Sequence, residues 1–494
     1  MSFSWGKFWD QKKSTGPTVI DIHVDSAEMA STASAKVNNN SKTVITDAQS
    51  MTPQEEKRMN RVYTRVFLML LLDLIAFTVI LPLLPGLLQH YGENDSSGLY
   101  YLLRKTSSGF RSFCGIKDEN ADAVFLGGMV SSLFSFLQFL SSPIIGAASD
   151  VYGRRRMMML CMAGVALSYV LWMLSHNFAL FVLARFVGGI SKGNIGLCTA
   201  IIADVSNKEK RGKGMALIGI AFSLGFIIGP AVGGGFSALT RHEEKGIFYL
   251  FPALFAFILT VSDILFIYLF LEETLPSSKR VQDTSYIWEN AGKFINTKSI
   301  FQFEPVQMGS ESKKSIQRIG LVYFLYMFIY SGLEFTLPFL MTFRFGYNNR
   351  GQAKMFLMIG VIMFLVQGCY TRKVKAGRER SVAKRGMMLL MPAFFILGIS
   401  RWEMYNMIVF PLFAFASATV VPCMTTMVSV CGGDDQKGII MGIFRSLGAL
   451  ARATGPLFFS AIFWLMGDHW CYNIGAVSLI IPLLLLRSKE RKED

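Results

Sequence analysis

The sequence predicts an all-α membrane protein: twelve transmembrane helices in two pseudo-symmetric six-helix bundles. Three observations predict it. Of the 494 residues, 52% are hydrophobic and only 17% charged, where a soluble domain carries about 25% charged. The mean hydropathy is +0.40. The apolar residues also arrive in runs long enough to cross a bilayer, which takes about 20 residues as a helix. These runs fall into six, a long polar stretch, and six more. Lipid leaves every backbone amide to find an internal partner, so such runs are helices. A barrel strand would alternate polar and apolar residues over only about 10 positions.

Taken in order, the first bundle predicts spans at 62–91, 122–146, 157–176, 179–204, 213–238 and 247–271. The second predicts 317–342, 352–371, 384–402, 404–432, 436–465 and 468–487. The domain plan is a disordered cytoplasmic tail at 1–56 and a bundle at 57–271. A cytoplasmic linker at 272–316 leads to the second bundle at 317–487, and a short tail at 488–494 ends the chain. Residues 1–56 are polar and rich in Ser, Thr, Asn and Lys, which is the composition of a segment that buries too little to fold, and they contain no signal peptide.

The net charge is +15. On a soluble protein that would point to nucleic acid. Here the bases sit in short loops, where they fix topology and meet anionic membrane lipids, so no nucleic-acid partner is expected. One set of loops holds Arg154, Arg155, Arg156, Lys208, Lys210, Arg211 and Lys213, then Arg372, Lys373, Lys375, Arg378 and Arg380. The loops on the other side are balanced. Positive-inside bias then puts both termini and the linker in the cytoplasm, in the plasma membrane or an intracellular one. The sequon Asn94-Asp95-Ser96 falls in the first outer loop, where it is open to glycosylation. Cys114 and Cys471 both fall in outer segments and are a candidate disulfide pair. The seven cysteines show no metal-ligand spacing, so no metal or other cofactor is expected. Without a GxxxxGK(S/T) loop, a zinc-protease motif, a nucleophile elbow or paired catalytic carboxylates, the chain reads as no enzyme.

The two halves repeat. Arg211-Gly212 and Met215 precede Gly229-Pro230 at the same interval as Lys437-Gly438 and Met441 precede Gly455-Pro456. Phe77-Thr78 of span 1 returns as Phe335-Thr336 of span 7, and Gln138 of span 2 as Gln367 of span 8. Parallel halves related about the membrane normal suit a protein that rocks around a central site.

Ionised side chains inside spans are costly and usually face a cavity. The deep set is Asp73 and Glu334 against Arg185, Lys192, Arg445 and Arg452. The pairs Arg185/Lys192 and Arg445/Arg452 are each two turns apart and share a helix face. This excess of positive charge would be relieved by an anion, and arginine offers a fork that matches a carboxylate. Arg452 is too deep to reach an interface, whereas Arg185 or Arg445 could extend toward one. For Asp73 two readings stand: a group that takes up and releases a proton, or one half of a structural salt bridge. Tyr323, Tyr326 and Tyr330 step along span 7 at helical spacing, as cavity lining or as core.

Between spans 2 and 3 the chain reads Gly146-Ala-Ala-Ser-Asp150-Val-Tyr-Gly153-Arg154-Arg155-Arg156. This resembles the signature loop of the major facilitator superfamily, with Val151 where that family usually has a base. As a gate latch, Gly146 would allow close packing and Asp150 would sit near the positive N-terminus of span 11. The arginines would pair with acids across the halves. Span 5 reads Gly225-Phe-Ile-Ile-Gly229-Pro230-Ala-Val-Gly233, a stripe of small residues for close helix contact with a proline bend. It resembles the motif of that superfamily's drug:proton antiporters. The span-1 run Leu72-Asp73 to Leu87-Leu88 is similar to the first span of its tetracycline:proton antiporters. Arg185-Phe-Val-Gly-Gly189 resembles their span-4 motif, whose arginine is linked to proton transfer. Asp204 with Arg211, and Glu272-Glu273-Thr274-Leu275-Pro276, resemble superfamily loop patterns read as gate or helix-end contacts. The resemblance covers roughly residues 60–487.

The resemblance implies alternating-access transport of small organic anions or drugs, with protons as a candidate coupling ion and a monomer as the working unit. Arg452, Arg445, Lys192, Gln138 and Gln367 are the expected substrate contacts. Asp73, Arg185 and Glu334 are the expected proton carriers. The competing readings are an uncoupled facilitator of another small solute, and a transporter-like receptor or trafficking partner that moves nothing.

Overall fold

In a computed structural model, the structure describes residues 52–114, 121–206, 210–239, 250–306, 308–374, 377–430 and 437–487. The expected tails at 1–56 and 488–494 therefore lie almost wholly outside the described residues. The first helix, α1 (Pro53–Thr78), starts with a capping box in which Thr52 and Glu55 each satisfy the other's backbone amide. Pro82 and Pro85 cannot continue an α-helical ladder. The chain accordingly passes through a 3₁₀ turn at Leu81–Leu83 before α2 (Leu84–Asn94) completes the crossing.

The rest of the first half is α3 (Leu99–Cys114), α4 (Ala121–Tyr152), α5 (Arg154–Met173), α6 (Phe178–Ser191), α7 (Asn194–Val205), α8 (Arg211–Leu239) and α9 (Leu250–Phe270). The linker forms α10 (Ser285–Ile295) and α11 (Thr297–Gln302). The second half is α12 (Ser310–Phe345), α13 (Asn349–Cys369), α14 (Glu379–Ile399), α15 (Asn406–Val430), α16 (Lys437–Ser478) and α17 (Ile480–Arg487).

Eleven stretches of the described residues are long and apolar enough to cross a membrane. The last, Ile439–Arg487, is 49 residues long, about twice what one crossing needs at 1.5 Å per residue. It turns at Gly467, whose φ of 82° lies in the left-handed region that favours glycine. Counted as two crossings it completes twelve. α6 and α7 are one crossing, interrupted at Lys192 and Gly193.

Within each half, one tight helix pair repeats. A Cβ on Gly225 would meet Leu74, one on Gly229 would meet Thr78, and one on Gly233 would fall on the Val79 carbonyl. This stripe of α8, with Pro230 inside the helix, seats α1. In the second half a Cβ on Gly455 would meet the Phe328 carbonyl and Ser331, so α16 seats on α12 in the same way. Hydroxyls tie both seams. Thr78 Oγ1 donates to the Gly225 carbonyl at 2.8 Å, and Ser331 Oγ to the Ala451 carbonyl at 3.4 Å.

Between halves, α4 packs on α16 and α8 on α13. A Cβ on Gly128 would strike Ser460, and one on Gly360 would strike Ile227. At the end of the bundle opposite Arg154, the Trp464 indole N–H donates to Asp122 Oδ1 at 2.8 Å and Phe125 stacks on Trp464 at 5.1 Å. Gly127 meets Leu88, Phe335 and Phe339 there. That end is closed by contacts between the halves. The linker, read from sequence as merely polar, packs α10 against α4.

Candidate functional site

The break between α6 and α7 makes the first charged site. Lys192 caps α6 with a non-helical backbone, and its carbonyl, freed from the ladder, accepts from Gln138 Nε2 at 3.2 Å. Its ammonium lies 2.5 Å from Asp73 Oδ1. Asn194 Nδ2 donates to the other oxygen, Oδ2, at 2.6 Å. The two charged side chains are 3% and 1% exposed, and the Phe77 ring covers the ammonium at 4.9 Å. Asp73 and Lys192, expected at a cavity, are sealed against each other in this conformation. Of the two sequence readings of Asp73, the ion pair is the one whose geometry is present.

Arg185 lies two turns earlier on α6, half-buried, with its guanidinium 4.2 Å from the centre of the Phe134 ring. It makes no ion pair among the described residues. Phe134 in turn stacks on Phe77 at 5.5 Å.

The second charged site is in the other half. Glu334 of α12 accepts from the Tyr330 hydroxyl at 3.1 Å, and that hydroxyl is 2.6 Å from Ser417 Oγ of α15. Tyr330 stacks on Tyr326 and on Phe413. Arg452 of α16 is an exposed residue between buried Ala451 and Ala453. It lies beside the Tyr323 hydroxyl, and its charge acts on Glu334. Arg445, two turns earlier, donates across the halves to the Ile195 carbonyl at 3.2 Å. Gln367, the counterpart of Gln138, accepts from Ser223 Oγ. The two glutamines therefore serve different seams: Gln138 holds the α6–α7 break, and Gln367 joins α8 to α13.

The gate motif differs from expectation. Asp150 is held by Arg154 at 2.7 Å, and Arg154 Nε reaches Asp204 at 3.0 Å. Glu273 accepts from the Arg154 and Arg155 amides at 3.0 and 3.3 Å and pairs with Arg280 at 3.3 Å. Arg155 donates to the Tyr268 carbonyl. The recorded partners of Asp150 and Arg154 are thus in the first half and linker, where span 11 and the opposite half were expected. Gly153, with φ 99°, supplies the turn that aims these amides at Glu273. Gly146 has open space where its Cβ would be.

The Cys471 thiol is free and buried and donates to the Phe459 carbonyl, so the Cys114–Cys471 pair is not formed; the side chain of Cys114 lies outside the described residues. Asn94 is exposed at the end of α2. Arg211 and Lys213 have side chains outside the described residues.

Two buried acids were passed over. Asp263 of α9 is 1% exposed, and both of its oxygens lack a hydrogen-bond partner among the described residues. It was legible as the only charge in the run 250–270. Asp122, also 1% exposed, is 3.5 Å from Arg104 and takes the Trp464 bond. Its position at the edge of span 2 hid it. No group of three or more metal-binding side chains occurs among the described residues.

Comparison with known proteins agrees with this architecture. The family model described as Major Facilitator Superfamily matches residues 66–456. The chain is 43% identical to Homo sapiens major facilitator superfamily domain-containing protein 10, over 86% of this chain and 92% of that one. It is 23% identical to the class H tetracycline resistance protein of Pasteurella multocida, over 88% of this chain and 98% of that one. Among solved structures it resembles the human organic anion transporter MFSD10 (TETRAN), with TM-score 0.73 and 41% identity, covering 88% of this chain and all of that one. A bacterial homologue of Spinster in an inward-facing conformation shares the fold, with TM-score 0.56 and 13% identity over 89% and 96% of the two chains. With most of its length matched by the family model and by these relatives, the chain belongs to the major facilitator superfamily and is a multi-pass membrane transporter, not an enzyme.

Proposed function

We propose that this transporter moves small organic anions by alternating access between its two halves. The observation that carries the reading is that three arginines inside the spans, Arg185, Arg445 and Arg452, make no ion pair among the described residues. Ionised groups are retained at such depth where a cavity or substrate receives them, and a guanidinium fork suits a carboxylate. The similar human protein is titled an organic anion transporter, which agrees.

Arg452 is the leading substrate contact, because it is exposed and stands beside Tyr323. The Arg445–Ile195 bond joins the halves, so Arg445 would respond to their rocking. Lys192 is occupied by Asp73 in this state. The coupling proton belongs on Glu334, whose partner Tyr330, itself bonded to Ser417, and nearby Arg452 give it a route to sense an arriving anion. The closed end at Asp122 and Trp464 supports a conformation open toward the basic end. By the loop charges that end is cytoplasmic.

An uncoupled facilitator is the second reading. It is favoured by one fact: Asp73, the carboxylate that the antiporter resemblance points to, is locked in an ion pair. Uptake of a labelled organic anion into proteoliposomes, with and without an imposed pH gradient, separates the two. Coupled transport gives accumulation that follows the gradient, whereas gradient-blind flux leaves the facilitator. Absence of flux for every anion tried, with intact protein, removes both.

A further inference from the structure

A small cavity inside the first bundle, distinct from the Arg452–Glu334 set, brings together three donors that have no hydrogen-bond acceptor among the described residues. It measures about 20 Å³ and is walled by α1, α4, α5 and α6. Its lining includes Phe77, Phe134, Tyr169, Trp172 and Arg185. Trp172 is 3% exposed, and its indole N–H has no acceptor among the described residues. Arg185 donates to no side chain or carbonyl there; its recorded contact is the Phe134 face. The Tyr169 hydroxyl, on a residue 8% exposed, also makes no hydrogen bond among the described residues.

Buried donors are normally satisfied, and each exception calls for a reason. The only other cation lining this space is Lys192, which is neutralised by Asp73. One positive charge therefore remains, with up to three kinds of N–H or O–H donor aimed into an aromatic-walled space. What complements it is an acceptor with a single negative charge and several lone pairs.

We propose that this cavity binds the carboxylate head of an organic anion, gripped by Arg185 with Trp172 and Tyr169 as further donors. The volume admits about one water in this conformation, so the carboxylate enters only as the lining rings part. The Phe77–Phe134 stack forms the wall along which an aromatic body would lie once the rings part. This site rests on the organic-anion reading but relocates Arg185. With no acid beside it, Arg185 has no partner to exchange a proton with, and it becomes a substrate contact in the first half.

Equilibrium binding of radiolabelled benzoate to the purified full chain tests the site, with benzyl alcohol as the uncharged control. Arg185→Gln is expected to weaken benzoate binding at least tenfold and leave benzyl alcohol unchanged. Trp172→Phe keeps the ring, removes one donor to a charged acceptor, and is expected to cost roughly tenfold. Trp172→Phe guards against a misfolded Arg185 variant, since it retains shape and charge. Unchanged benzoate affinity in Arg185→Gln and Trp172→Phe, or loss confined to Arg452→Gln, overturns the site while leaving anion transport intact. Vesicles that accumulate anions while the purified chain binds no benzoate also overturn the site alone. Loss of both flux and binding overturns the transport reading as well.

Discussion

The two halves are built on one frame and treat deep charge in opposite ways. In both, a glycine stripe on the fifth helix of the half seats the first, and a hydroxyl bonds across that seam: Thr78 to Gly225, Ser331 to Ala451. Aligning Phe77-Thr78 with Phe335-Thr336 sets Asp73 opposite Ser331. In the first half that position carries a charge, and the chain breaks α6 to bring Lys192 and Asn194 onto it. In the second half it carries a hydroxyl; the acid moves to Glu334, is bound by a tyrosine, and faces a cation that remains exposed. A buried pair whose charges satisfy each other has little to exchange. A partly satisfied acid beside an open guanidinium has alternatives, and alternatives are what a transport cycle uses.

The largest effect is expected from breaking the sealed pair. Asp73→Ala strands the Lys192 ammonium and is expected to destabilise the fold by about 3–5 kcal/mol. The double variant Asp73→Leu with Lys192→Met should recover most of it, as read by thermal unfolding in detergent. Equal loss in both variants would mean that Asp73 acts through something other than the pair.

Next is the seam between halves. Trp464→Phe keeps the stack on Phe125 but removes a donor from buried Asp122. Losing a hydrogen bond to a charged acceptor costs about 1.5–3 kcal/mol. The arrangement closed at this end should be depopulated, seen as faster labelling of a cysteine placed at Leu88. Unaltered labelling would show that packing at Gly127 and Gly128 closes this end unaided.

A smaller effect concerns Asp263. Both of its oxygens lack donors, so Asp263→Leu is expected to leave stability unchanged or raise it, unlike Asp73→Ala. A clear fall in the unfolding temperature would place an unrecognised partner on it.

The smallest is at Asp95, outside the spans, whose carboxylate accepts from the Phe178, Tyr100 and Ser97 amides at 3.0, 2.9 and 3.1 Å. Burial pushes its pKa up, but these amides and the Ser97 hydroxyl outweigh it and hold the pKa below the ordinary aspartate value. Such a group adds stability above its unfolded pKa and loses it as pH falls through the folded one. Stability should therefore decline slightly below about pH 4, and Asp95→Asn should flatten that part of the profile.

The frame was legible because lipid leaves few choices: run length gave the crossings, and loop bases and repeated Gly-Pro pairs gave the halves. The Asp73–Lys192 pair was not, since it depends on where α1 meets the break in α6–α7, and neither segment states the other's position. The gate motif was legible as a motif but not in its partners. Asp150 was read as lying near the N-terminus of span 11; its recorded ion-pair partner is Arg154, one turn on. The helices α3, α10 and α11 were missed because each is too short or too polar to register as a crossing. Asp263 could have been found, and its omission made the deep charge look more lopsided than it is.

The central claim is that coupling belongs to Glu334 and that Asp73 is structural. It is tested most directly by uptake of an organic anion into proteoliposomes under an imposed pH gradient, comparing Glu334→Gln with the charge-free pair Asp73→Asn with Lys192→Gln. The account predicts that Glu334→Gln loses the response to the gradient while the double variant keeps it. Retention in Glu334→Gln together with loss in the double variant would contradict it.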